Sequence, residues 1–67
     1  MTIQQAFAAG VDELIKEGVP FAPGEYVITI EPYGTGWRMR YSHVPQKMSG
    51  DRLVIIQGWS VQVIPLF

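Results

Sequence analysis

The chain has 67 residues, 48% of them apolar and 16% charged, with five Lys and Arg against six Asp and Glu and no cysteine. That length holds one domain, residues 1–67, and excludes a second; so much apolar content at a net charge of −1 excludes intrinsic disorder. A chain this short buries only about 60% of the surface its unfolded form exposes. With neither disulfide nor thiolate metal site to help, oligomerisation or a partner is the expected supplement.

The first residues carry no basic segment ahead of an apolar run and are interrupted by Asp12 and Glu13, so they read as neither a signal nor a transit peptide. No apolar run approaches the roughly 18 to 20 residues of a membrane span, the longest being broken by Gln57, Gly58 and Gln62. The expectation is a cytoplasmic protein without membrane contact, which the lack of cysteine permits. Its charge is segregated. Asp12, Glu13, Glu17, Glu25 and Glu31 against Lys16 leave residues 1–31 at −4, whereas Arg38, Arg40, Lys47 and Arg52 against Asp51 leave residues 32–67 at +3.

Ile3 to about Glu17 reads as a helix. Thr2 and Gln5 form a T-x-x-Q capping box, and Ile3, Phe7, Val11, Leu14 and Ile15 gather into one apolar stripe, with Gln4, Ala8, Asp12 and Lys16 towards water. Gly18 suits a left-handed C′ position, Val19 the contact back to Leu14, and Pro20 stops the helix. Gly10 costs about 1 kcal/mol relative to alanine in mid-helix, which predicts close approach of the helix to a sheet.

Ala22-Pro23-Gly24-Glu25 fits a type II turn. The strand Glu25 to Glu31 follows, ended by Pro32, and Tyr33-Gly34-Thr35-Gly36 forms a hairpin loop; without a third glycine or a following helix it is no phosphate loop. On the returning strand, Trp37 to Val44, the residues Trp37, Met39, Tyr41 and His43 alternate with Arg38, Arg40 and Ser42. Pro45 to Asp51 is a polar connection. Leu53 to Ile56 then reads as a central strand covered on both faces, and Trp59, Val61 and Val63 alternate with polar residues. Gly58 marks either a bend in one long strand, the expected form, or a tight II′ hairpin giving a fourth strand. The expected fold is therefore α+β: an N-terminal helix packed on one face of a three-stranded antiparallel β-meander (α-β-β-β), the last strand long and bent or split at Gly58.

Enzyme chemistry fails by inventory. The one histidine, His43, points away from Ser42 by strand alternation, and Ser49 and Asp51 near it are ordinary turn residues. The carboxylates do not converge, and a lone histidine with scattered acids has no metal-ligand spacing. We therefore expect no catalytic residues, no metal and no cofactor. Interface-type residues are better represented. Tyr33, Arg38, Arg40, Lys47, Arg52 and Trp59 are expected to bind a partner, with Arg38, Arg40, Lys47 and Arg52 lining one sheet surface; Val61, Val63, Leu66 and Phe67 of the last strand and tail are expected to mediate self-association as a homo-oligomer. The expected function is a protein-binding accessory or regulatory domain, inhibitor-like in size and composition. Nucleic-acid binding by the same basic surface is the alternative, weakened by the lack of a net basic excess.

Overall fold

The computed structural model describes residues 1–47 and 49–66. Helix α1 (Ile3–Lys16) begins at the expected capping box: the Thr2 N–H donates to Gln5 Oε1 at 2.8 Å and the Gln5 N–H to Thr2 Oγ1 at 3.2 Å. It ends in the expected Schellman geometry. Gly18 has φ +80°, and the Val19 and Gly18 amides donate to the Leu14 and Ile15 carbonyls, each at 3.0 Å. Gly24, at φ +77°, and the Glu25 amide donating to the Ala22 carbonyl complete the type II turn that leads into the sheet.

Four antiparallel strands follow in chain order: β1 (Tyr26–Tyr33), β2 (Gly36–His43), β3 (Asp51–Gln57) and β4 (Ser60–Leu66). The fold is α+β with one N-terminal helix, but the sheet has a fourth strand in place of one long bent third. Gly58 adopts φ +58°, the left-handed value that the first central position of a II′ turn requires, and Gln57 pairs with Ser60. The chain therefore reverses where a bend was expected, and β4 pairs back on β3. Pro32 does not end β1 either. It pairs with Trp37 inside the strand, because an edge strand has outward positions where a missing N–H breaks no ladder bond.

The helix covers one face of the sheet. Ala6, Leu14, Met39, Tyr41, Val54 and Ile56 are almost wholly buried between the two layers, with Tyr26, Ile28, Ile30, Val61 and Val63 packed around them. Along α1 the line of contact is Ala6, Gly10 and Leu14, while Ile3, Phe7 and Ile15 of the predicted stripe stay 41–57% exposed. The reason is steric. A Cβ on Gly10 would lie 2.6 Å from Met39 Cε and 3.0 Å from its Sδ, so the helix seats Gly10 on Met39 and Ile56 and turns Ile3, Phe7 and Ile15 aside. At the far end, the Tyr41 hydroxyl donates to the Pro20 carbonyl and its ring stacks on Tyr26, edge-on to Phe21. Burial pushes the Tyr41 phenol up, keeping it a neutral donor. β3 is central in the ladder yet covered on only one face: Val54 and Ile56 are buried, Leu53 and Ile55 half-buried.

Two glycines separate backbone from side-chain obstruction. A Cβ on Gly36 would meet the Ile56 carbonyl oxygen at 2.0 Å, an atom the ladder holds, whereas the Met39 thioether facing Gly10 can turn away. Urea denaturation should show Gly36→Ala costing about 3 kcal/mol. In Gly10→Ala, a helix-propensity gain of about 1 kcal/mol offsets most of the repacking, for a net change under about 1 kcal/mol.

Candidate functional site

Strand register decides which side chains meet. On the uncovered face, one rung runs Thr29, Arg40, Leu53, Ile64 and the next runs Glu31, Arg38, Ile55, Gln62. Leu66, opposite Asp51, extends the apolar side of this surface. Together Thr29, Glu31, Arg38, Arg40, Leu53 and Leu66 line an open groove of about 400 Å³. The result is a strip with cations on β2 and aliphatic side chains on β3 and β4.

The two arginines are not equivalent. Arg38 donates through Nε to Glu31 Oε1 at 2.8 Å and through Nη2 to the same oxygen, and its Cζ lies 4.9 Å over the Tyr33 ring. Its charge is thus largely answered within the sheet. Arg40 donates only to Ser42 Oγ, at 3.3 Å, and faces no carboxylate within ion-pair distance among the described residues. It is the exposed cation of this face that a ligand would meet.

Of the residues expected to bind a partner, the structure brings together Tyr33, Arg38 and Arg40, and with them Leu66. Arg52 does not join them. It pairs with Tyr41, so its side chain projects on the helix-covered side, where its Nη1 donates to the Asp51 carbonyl at 3.0 Å. Lys47 lies exposed in the connection between β2 and β3, so the four-cation surface contracts to two arginines. Trp59 is 92% exposed at the tip of the β3–β4 turn, off the end of the groove. Val61 and Val63 pack against the core on the helix side, on the opposite face from Leu66. Phe67 lies outside the described residues. Leu53 and Ile55 carry no signal of a binding site in the sequence beyond the strand alternation from Val54 that sets them apart from the core.

His43 and Asp51 meet at the end of β2. Asp51 Oδ1 accepts from the His43 backbone N–H at 3.1 Å and lies 3.1 Å from Nδ1, with the imidazole edge-on to Tyr41 at 5.3 Å between centroids. A Cβ on Gly50 would fall 2.6 Å from the imidazole Cε1, so the ring is sandwiched. Both side chains are about 10% exposed, and the pair fastens the start of β3 to the end of β2. Burial alone would raise the Asp51 carboxyl, but hydrogen bonds from the His43 side chain and backbone, with attraction from His43 and Arg40, hold it below the ordinary carboxylate range.

A carboxyl whose folded pKa is depressed stabilises the fold above its unfolded pKa, near 4, and loses that contribution as pH falls through the folded value. Chemical denaturation should find Asp51→Asn about 1 kcal/mol less stable than the parent at pH 7. The gap should narrow between pH 4 and 2; one that stays constant to pH 2 contradicts the assignment.

Compared with protein-family models, curated proteins and solved structures, the chain matches none.

Proposed function

We propose that the chain is a non-enzymatic, protein-binding accessory domain that recognises its partner across the uncovered face of the sheet. One observation carries this reading: Arg40, a cation with no carboxylate within ion-pair distance among the described residues, shares a groove with the aliphatic side chains of Leu53 and Leu66. A surface of this kind is complementary to a protein that presents carboxylates beside an apolar side chain, with Tyr33 and Arg38 as a preformed aromatic–cation anchor. Four strands about 4.8 Å apart and seven or eight residues long, at about 3.3 Å per residue, make a face of roughly 450 to 500 Å². Standard interfaces take about 800 Å² from each partner. The face by itself therefore supports a transient complex, as suits a regulatory or inhibitor-like domain that masks part of a larger protein.

Self-association enters this reading in a narrower form than the whole last strand. Ile64 and Leu66 reach the open face, so a second copy would use the same surface as the partner and compete with it. Nucleic-acid binding draws less support, since Glu31 already answers one of the two arginines.

A photo-crosslinking residue at Leu53, with Ala8 on the exposed side of α1 as control, tests the reading in the cell that makes the protein. The expected result is a protein adduct at position 53 only, reduced at least about tenfold by Arg40→Glu, with circular dichroism unchanged. An adduct to nucleic acid, or equal adducts at both positions, overturns it. Fluorescence anisotropy with a single-stranded oligonucleotide gives a second measure. Salt-dependent binding with a log affinity against log salt slope near about −1.4, the value two cations allow, would favour the nucleic-acid alternative, and no binding at low salt is the expected result.

A further inference from the structure

A different surface, the outer edge of β1, carries an inference independent of the open face. The Val44 N–H donates to the Glu25 carbonyl at 3.0 Å, which fixes the hydrogen-bonding parity of the strand. Glu25, Val27, Thr29 and Glu31 turn their backbone groups towards β2. Tyr26, Ile28 and Ile30 turn theirs outwards, and Pro32, next in that series, has no N–H to offer. The edge thus presents three consecutive outward donors with their carbonyls, and a proline ends the row.

Beside this edge the sheet is left largely uncovered, because the helix packs mainly over β2, β3 and β4. Because Gly10 seats α1 over Met39 and Ile56, the flank bearing Ile3 and Phe7 projects past the contact and leaves a groove of about 290 Å³ between it and Ile30. Ile3 and Phe7 are 44% and 41% exposed there. An unpaired backbone row beside an apolar groove calls for an extended polypeptide with apolar side chains at alternate positions.

Charge selects among possible strands. Glu25 and Glu31 lie at the two ends of the edge, and their side chains sit on the face opposite the groove. A second copy fits poorly. In the two-fold antiparallel register that uses all three donors, centred on Ile28, Glu25 of one copy opposes Glu31 of the other, and like charges directly across a ladder repel. Arg38 engages only Oε1 of Glu31, so Oε2 is not taken up by that pair.

We propose that the outer edge of β1 takes up an extended segment of a partner polypeptide as a fifth strand. Its apolar residues at alternate positions enter the Ile3, Phe7 and Ile30 groove, and a basic residue near each end meets Glu25 and Glu31.

The experiment is selection of a random decapeptide display library on the folded domain, followed by NMR mapping with the synthesised winners. Selected sequences should alternate apolar and polar residues with Lys or Arg near both ends, and should slow amide exchange at Tyr26, Ile28 and Ile30 at least about tenfold. Phe7→Ala should weaken binding about tenfold, and Glu25→Lys should remove the preference for a basic residue at one end. N-methylation of the alternate peptide amides that face β1 should abolish binding, and methylation of the other set should not, a comparison that leaves the protein unaltered. The proposal is overturned if selection yields no binder, if the winners lack alternation, or if they map to Leu53 and Ile64. Protection of the same amides that rises with the concentration of the domain alone also overturns it, in favour of a second copy.

Discussion

The close approach of α1 to the sheet at Gly10 governs the rest of the molecule. With no side chain there, the helix settles against Met39 and Ile56, and its line of contact is set by Ala6, Gly10 and Leu14. Mid-helix glycine is disfavoured by about 1 kcal/mol, offset by the burial that close packing allows. Two consequences follow from this one contact. The bulky flank of the helix is turned towards β1, and the helix covers only one side of a four-stranded sheet. What is left over on the protein is therefore not scattered: it lies beside one edge and across one face.

The sheet manages its edges with proline. On β1 the outward series Tyr26, Ile28, Ile30 ends at Pro32. On β4 the closing pair Gln57 and Ser60 fixes the parity, so that Val61 and Val63 face outwards and Pro65 follows them without an N–H. Both free edges are shortened by the same device. They differ in surroundings, since β1 has an apolar groove and two flanking carboxylates, whereas Val61 and Val63 of β4 already pack into the core. This difference makes β1, and not β4, the edge suited to the proposed strand addition.

The open face and the His43–Asp51 fastening are linked through register. Placing Asp51 at the end of β2 holds the start of β3 so that Arg40 stands opposite Leu53 and Arg38 opposite Ile55. A one-residue slip would exchange faces along all of β3, putting Val54 and Ile56 into water. The same register carries Arg52 to the helix side, which is what reduces the basic surface to two residues, one of them paired within the sheet.

Local patterning in the sequence was enough for the helix with both its caps, the type II turn, the first hairpin, and the alternation that separates Met39 and Tyr41 from Arg38 and Arg40. Each of those depends on residues within one turn or one strand of each other. Tertiary structure alone decided three things: that Gly58 reverses the chain, that Arg52 and the arginines of β2 lie on opposite faces, and that Phe7 stays exposed beside Ile30. Gly58 is compatible with a bulge or a turn until β4 has β3 to pair with. The face of Arg52 depends on how a seven-residue connection sets register, which no periodicity within either strand records. The exposure of Phe7 depends on how far the helix rolls when glycine meets Met39, a packing balance between residues 29 positions apart in the chain.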